Sequence, residues 1–186
     1  MYNTCVAFGS DGALLARHRK VHLFDIDIPG RITFRESDTL SAGDTLASFD
    51  TPWGRVGLGI CYDVRFPLLA MSLRAAGCRF LFYPGAFNMT TGPAHWELLL
   101  KSRALDTQCF VAGVSIARAA EAKYQAWGHS TLVSPWGEIL GTTDETPSTV
   151  FADARCAQVD EVRAQIPVSL QTRDDLYALT WTGKRA

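Results

Sequence analysis

The sequence predicts an α/β fold, in which helices pack on a β-sheet, and three observations support this prediction. Short apolar strands alternate with helical segments in β-α-β-α-β order between residues 55 and 116, an order typical of helices packed on a sheet. Hydrophobic residues make up 47% of the chain and charged residues 20%, as in ordinary globular proteins. A length of 186 residues suits one domain, which we expect to span residues 1–186.

An N-terminal hairpin is the first predicted element. Residues 2–8 and 13–16 have strand composition, and the Gly-Ser-Asp-Gly sequence at 9–12 favours a turn between them. Residues 25–46 are polar and rich in Gly, Asp, Ser and Thr, which predicts a long loop. Because long ordered loops are commonly functional, this segment is a candidate part of a site.

The alternating region follows the loop. Its predicted elements are a strand at 55–60, a helix at 67–76, a strand at 79–83, a helix at 93–107 and a strand at 109–116. Gly77 favours the end of the first helix, and Pro93 suits the first turn of the second. Toward the C-terminus we predict a hairpin over 127–140, a strand at 149–152 and a short helix at 159–165.

Charge and hydropathy exclude several classes of partner. The formal net charge is −1, which provides no basic surface for nucleic acid. The longest apolar stretches are far shorter than a membrane span, and the N-terminus lacks the pattern of a secretion signal. We therefore expect neither nucleic acid nor a membrane as a partner.

The cysteines indicate the redox environment. Their odd number and wide spacing argue against a disulfide framework, and without a C-x-x-C pair a structural zinc site is not expected. This usage suits a reducing compartment, so we expect the cytoplasm, with mitochondria as the alternative. The five cysteines are Cys5, Cys61, Cys78, Cys109 and Cys156.

Cys61 differs from the other cysteines because it follows a predicted strand where the chain turns toward a helix. Sites in α/β sheets form outside the carboxyl ends of strands. A helix N-terminus and Arg65 nearby would lower the thiol pKa and favour the thiolate. The alternative is a buried cysteine held against the sheet.

A nucleophilic cysteine also needs a base and a group that stabilises the oxyanion. Any of the four histidines could serve as base, and the spacing selects none of His18, His22, His95 and His129. Lys20 ends a predicted strand beside the long polar loop, which makes it a candidate oxyanion stabiliser. Its alternative role is a solvated surface charge.

Several motifs together resemble those of the nitrilase-like carbon–nitrogen hydrolases. The motifs are HRKVHLFD at 18–25, GICYDVRFP at 59–67, YPGAFN at 83–88, TTGPAHWE at 90–97, GHS at 128–130 and PWG at 135–137. The similarity runs from about residue 2 to residue 177. The segments FDIDIPG at 24–30 and PGAFN at 84–88 favour the omega-amidase branch over the neighbouring deaminated-glutathione amidases.

The resemblance implies both a fold and a reaction. The fold is the nitrilase-type αββα sandwich. Cys61 falls on the nucleophile of the family, Lys20 on the lysine that stabilises the oxyanion, and Glu36 on a glutamate that helps to position lysine and substrate. The implied reaction is amide hydrolysis through a cysteine thioester, which needs no metal and no organic cofactor.

The implied substrates are monoamides of 2-oxo dicarboxylates, such as 2-oxoglutaramate and 2-oxosuccinamate. Arg65 would pair with the substrate carboxylate, since a guanidinium fork matches a planar carboxylate. Tyr62, Phe87 and Thr91 would line the pocket. The resemblance also implies a homodimer.

One departure from the family concerns its general base, a glutamate far upstream of the lysine. None of the 19 residues before Lys20 is a glutamate. We therefore expect a partial sandwich that lacks its N-terminal strands and helices together with the base. Two alternatives to an omega-amidase follow, namely a deaminated-glutathione amidase and a catalytically inactive fragment.

Overall fold

The computed structural model describes residues 1–30 and 32–185 and has a mixed α/β architecture. Its helices are α1 Pro67–Ala75, α2 Gly92–Thr107 and α3 Ala157–Gln165. Its strands are β1 Thr4–Phe8, β2 Leu14–Arg19, β3 Asp25–Ile28, β4 Ile32–Arg35, β5 Thr45–Leu46, β6 Ser48–Thr51, β7 Gly54–Leu58, β8 Cys78–Gly85, β9 Phe110–Ser115, β10 Thr131–Val133, β11 Ile139–Thr142 and β12 Lys184–Arg185. None of the helices within these residues is long and apolar enough to cross a bilayer.

A six-stranded sheet in the order β11-β10-β9-β8-β7-β6 forms the centre of the molecule. Strands β7, β8 and β9 are parallel, and the outer strands pair antiparallel. Helix α1 connects β7 to β8 and α2 connects β8 to β9. The predicted β-α-β-α-β order is therefore confirmed, and the carboxyl ends of three strands meet at one edge.

The main core lies between this sheet and the two connecting helices. Leu73 from α1 and Leu100 from α2 are fully buried against Leu81 and Val111 of the sheet. Trp96 is buried beside them, and its indole N–H donates to the carbonyl oxygen of His129 at 2.7 Å. Full burial of such side chains contributes about 1.5–3 kcal/mol each, so this packing fixes the positions of the strand ends.

The opposite face of the sheet carries the β1–β2 hairpin. Ala16 of β2 forms a small buried cluster with Val56 and Leu58 of β7. The hairpin covers only part of this face, because Phe82 and Val114 remain 37% and 48% exposed. Its importance for the site is that the end of β2 lies close to the end of β7.

Two sequence predictions about elements are wrong, and some strands, β6 among them, were not predicted. The predicted loop 25–46 contains the β3–β4 hairpin and a short 3-10 helix at Glu36–Asp38, because alternating Asp and Ile side chains at 25–28 form a strand despite the polar composition. Residues 149–152 form no strand, and Phe151 there is 89% exposed. Strand β12, which pairs with β5, was not predicted.

Candidate active site

All seven candidate site residues line one cavity of about 610 Å³. The cavity lies where β7 and β8 end, as expected for a site outside the carboxyl ends of parallel strands. The candidates that share it are Lys20, Glu36, Cys61, Tyr62, Arg65, Phe87 and Thr91.

Cys61 occupies a sharp turn directly after β7. Its φ is +47°, a left-handed conformation that is costly for a residue with a side chain. A 3-10 helix over Cys61–Arg65 follows, and the N–H of Asp63 donates to the carbonyl oxygen of Ile60 at 2.9 Å. A methyl group added to Gly85 of β8 would lie 2.9 Å from the Cα of Cys61, so only glycine fits behind this turn.

Burial raises the pKa of the Cys61 thiol, and the charge of Lys20 lowers it only in part. The prediction that a helix N-terminus and Arg65 lower this pKa is therefore wrong. The reason is geometric, since α1 begins only at Pro67 and burial dominates at the cavity wall. The Sγ atom lies 4.0 Å from the carbonyl oxygen of Ala86. The resting group is therefore a thiol, and it needs a proton acceptor in order to react.

Lys20 and Glu36 form a buried ion pair. The Nζ atom of Lys20 donates to Oε2 of Glu36 at 2.5 Å, and the two side chains are 3% and 10% exposed. The N–H of Phe24 also donates to Oε2 at 2.7 Å. Lys20 is therefore not a solvated surface charge, because a cation this deep persists only with a partner.

Arg65 presents a half-buried guanidinium to the cavity. Its central carbon lies 4.8 Å from the ring centre of Phe87 and 5.8 Å from that of Tyr62, and Nη1 donates to Nδ1 of His95 at 3.2 Å. No Asp or Glu in the described part of the chain forms an ion pair with it. Burial lowers the pKa of Arg65, so an anionic ligand would be a favourable partner.

Aromatic rings form much of the remaining wall. Phe24 meets Tyr62 edge to face with 5.0 Å between ring centres. The hydroxyl of Tyr124 donates to the carbonyl oxygen of Ala86 at 2.6 Å, beside the Cys61 turn. Tyr124 and Ile116 also line the cavity, and the sequence did not predict this. Neither residue lies in a family motif, and Ile116 is only the last residue of a predicted strand.

A Cys–His pair is not supported, because none of the four histidines, all within the described residues, lines the cavity. His18 and His22 contact the carboxylate of Asp63 at 2.9 and 2.8 Å. His95 accepts the hydrogen bond from Arg65, and His129 stacks on a tryptophan with 4.1 Å between ring centres. The cations that share the cavity with the thiol are therefore Lys20 and Arg65.

Comparison with known proteins identifies the family of the chain. The sequence profile of the carbon-nitrogen hydrolases matches residues 1–164. Human omega-amidase NIT2 is 59% identical over 179 residues, a match that covers 96% of this chain and 65% of the human protein. The zebrafish omega-amidase NIT2 is 55% identical, with the same two coverages. This chain therefore spans about two thirds of the length of these relatives, while the match covers 96% of the chain itself.

Solved structures confirm the nitrilase-type fold. The NitFhit protein of C. elegans superposes with a TM-score of 0.89 at 42% identity, covering 96% of this chain and 43% of that one. Nit3 of Saccharomyces cerevisiae, a member of the nitrilase superfamily, superposes with a TM-score of 0.84 at 42% identity, covering 92% and 60%. The profile match, the relatives and the superpositions together show that the chain belongs to the carbon-nitrogen hydrolase family.

Proposed function

We propose that this chain is an amidase of the omega-amidase type, which cleaves the terminal amide of 2-oxo dicarboxylate monoamides to the acid and ammonia. The observation that carries the proposal is that Cys61, on its strained turn, opens into the same cavity as the buried Lys20–Glu36 pair. A thiol beside a fixed ammonium is suited to acyl transfer. The identity with relatives named omega-amidase supports the same reaction.

The proposed reaction has two halves. In the first, Sγ of Cys61 loses its proton and attacks the amide carbonyl carbon, and the oxyanion that forms is stabilised by the ammonium of Lys20. The C–N bond then breaks, and the proton lost by the thiol leaves in ammonia. In the second half, water attacks the thioester, the C–S bond breaks, and the carboxylic acid and the thiol are released.

Glu36 would act mainly through Lys20. Its carboxylate already accepts from Nζ and from the N–H of Phe24, so it holds the ammonium in place at the cavity wall. It is also the only carboxylate among the described residues that line the cavity. We therefore assign Glu36 a positioning role and not the role of general base.

Arg65 would select the substrate. A monoamide of a 2-oxo dicarboxylate carries a free carboxylate at the end opposite the amide, and the guanidinium of Arg65 has no acidic partner among the described residues. Phe87 and Tyr62 flank this guanidinium and, with Thr91, would enclose the short carbon chain of the substrate.

Ammonia release from a panel of amides tests this proposal. We expect release from 2-oxoglutaramate and 2-oxosuccinamate, and none from either by Cys61→Ala. The matched control is Cys156→Ala, which alters a cysteine outside the cavity and should keep the activity. A clear preference for deaminated glutathione would favour the neighbouring branch, and no release from any amide would favour an inactive fragment.

We further propose a single domain over residues 1–186 that forms a homodimer in the cytoplasm, with mitochondria as the alternative compartment. Five free cysteines suit a reducing compartment, and a net charge of −1 argues against nucleic acid as a partner. Light scattering coupled to size-exclusion chromatography tests the dimer, for which the expected mass is twice 20.4 kDa. A monomer at micromolar concentration would contradict it.

A further inference from the structure

A single buried carboxylate lies behind the proposed catalytic groups. Asp63 is fully buried and follows Cys61 by two residues. Its Oδ2 accepts from Nε2 of His18 and from the N–H of Ile60, both at 2.9 Å. Its Oδ1 accepts from the N–H and Nδ1 of His22 at 2.9 and 2.8 Å. Four hydrogen bonds therefore converge on a side chain that does not line the cavity.

The donors of these bonds surround both proposed catalytic residues. His18 and His22 lie two positions before and two positions after Lys20, while Ile60 immediately precedes Cys61. One carboxylate therefore joins the end of β2, which carries the lysine, to the turn that carries the thiol. Segments more than 40 residues apart in the chain meet at this group.

We propose that Asp63 is a positioning residue that holds the ammonium of Lys20 and the thiol of Cys61 at the same cavity wall. This inference rests on the proposed function, since it concerns how the same two groups are held. A left-handed φ of +47° at Cys61 persists only where the surroundings fix it. Two hydrogen bonds between Ile60 and Asp63 fix this conformation. The N–H of Ile60 donates to Oδ2 of Asp63, and the N–H of Asp63 donates to the carbonyl oxygen of Ile60.

The carboxylate keeps its charge in this setting. Burial alone would raise the pKa of Asp63, but the hydrogen bonds from His18 and His22 hold that pKa well below its usual range. His22 also stacks on Phe66 with 3.6 Å between ring centres, which fixes the imidazole. The carboxylate of Asp63 therefore accepts all four hydrogen bonds, and the groups around it donate them. This pattern allows a single arrangement of the four donors.

Asp63→Asn is a sharp test because the amide cannot reproduce this pattern. Each carboxylate oxygen accepts from a backbone N–H, one from Ile60 and one from His22. An asparagine has a single oxygen, so in either orientation its NH₂ group faces a backbone donor. The substitution therefore breaks the connection on one side while it changes the side-chain volume very little.

The experiment measures the pH midpoint at which iodoacetamide alkylates Cys61, read by mass spectrometry of the peptide that contains it. Lys20→Gln should raise this midpoint by about one pH unit, because it removes the nearby cation. In the Asp63→Asn background the same Lys20→Gln change should produce little further shift, because the lysine is already displaced. An equal shift in both backgrounds would show that Asp63 acts independently of Lys20 and would overturn the proposal.

A control variant and a substitute variant complete this experiment. Asp50→Asn removes an exposed carboxylate that pairs with Arg55, and in this background the full effect of Lys20→Gln is expected. If Asp63→Asn fails to fold by circular dichroism, His22→Phe replaces it, because that variant keeps the stacked ring and the backbone N–H while it loses one bond to Asp63. An undiminished effect of Lys20→Gln with His22→Phe would overturn the proposal.

The alkylation measurement also separates the two proposals. It needs no amide substrate, so a wild-type chain that releases no ammonia would contradict the proposed function alone. If Lys20→Gln shifts the alkylation midpoint less in the Asp63→Asn background than in the wild-type chain, the positioning role of Asp63 would still be supported. Conversely, an active amidase in which Lys20→Gln shifts the midpoint equally in both backgrounds would contradict the positioning role and still support the proposed function.

Discussion

Lys20 and Glu36, 16 residues apart in the chain, meet through a 2.5 Å hydrogen bond in the wall of the cavity that contains Cys61. This contact holds the ammonium of Lys20 in place, because its carboxylate partner is buried with it. A fixed cation is suited to stabilise an oxyanion and poorly suited to accept a proton. We therefore assign Lys20 the role of oxyanion stabiliser and not that of general base.

Replacing Lys20 tests the oxyanion role. We expect Lys20→Gln to lower kcat by about 10²–10³-fold, the usual cost of losing one oxyanion contact, with KM little changed because the contact forms in the transition state. Steady-state ammonia release from 2-oxoglutaramate measures both constants. Lys101→Gln, which alters an exposed lysine paired with Glu97, is the control. An unchanged kcat for Lys20→Gln would contradict the role.

Replacing Arg65 tests substrate selection. Arg65→Lys removes the planar fork but keeps the charge, so we expect KM for 2-oxoglutaramate to rise by about 10–100-fold, the range for one charge-assisted hydrogen bond. Arg155→Lys, at an exposed ion pair with Glu161, should leave KM unchanged. The same KM in both variants would exclude Arg65 from carboxylate binding.

Replacing Gly85 tests whether the turn at Cys61 requires close packing of β8 against it. The added methyl group in Gly85→Ala would meet the Cα of Cys61 at 2.9 Å, so we expect slower alkylation of Cys61 and a loss of about 1–3 kcal/mol in stability. Gly9→Ala is the control, because the three atoms nearest its methyl group belong to the side chains of Asp11 and Leu15, which can move aside, and not to the backbone. Wild-type reactivity in Gly85→Ala would show that the turn tolerates displacement.

Much of this arrangement could be predicted from the sequence, but not its electrostatics. The order of strands and helices follows from local periodicity, and the family resemblance implies one site that contains Cys61, Lys20 and Glu36. The pKa of Cys61 depends on burial by segments far away in the chain, so its direction was predicted wrongly. The β3–β4 hairpin was missed for a related reason, because four-residue strands rich in aspartate resemble loops in composition.

Hydrolysis of the thioester needs a proton acceptor beside Cys61. Glu36 is the one carboxylate among the described cavity residues and is bound to Lys20, so hydrolysis of the thioester should be slow, by about 10²–10⁴-fold for a missing base. Hydroxylamine attacks thioesters without such help. We expect it to increase turnover, with hydroxamate as product, and no increase would indicate that deacylation already has an efficient base.

The pH dependence follows from the raised pKa of Cys61. Burial shifts this pKa upward from 9.0, so the reactive thiolate should accumulate only above that pH, and alkylation should keep rising through it. Rates of iodoacetamide labelling between pH 6 and pH 11, resolved by peptide, give the curve. A plateau reached below pH 8 would mean that the thiol is activated in the free protein.

The most direct test of the central claim is to identify the atom that carries the acyl group. The chain is mixed with 2-oxoglutaramate, quenched with acid and digested, and the peptides are analysed by mass spectrometry. We expect one thioester adduct, on the peptide that contains Cys61, which is absent in Cys61→Ala and present in Cys156→Ala. An adduct on Cys5 or Cys109, or ammonia release by Cys61→Ala at the wild-type rate, would contradict it.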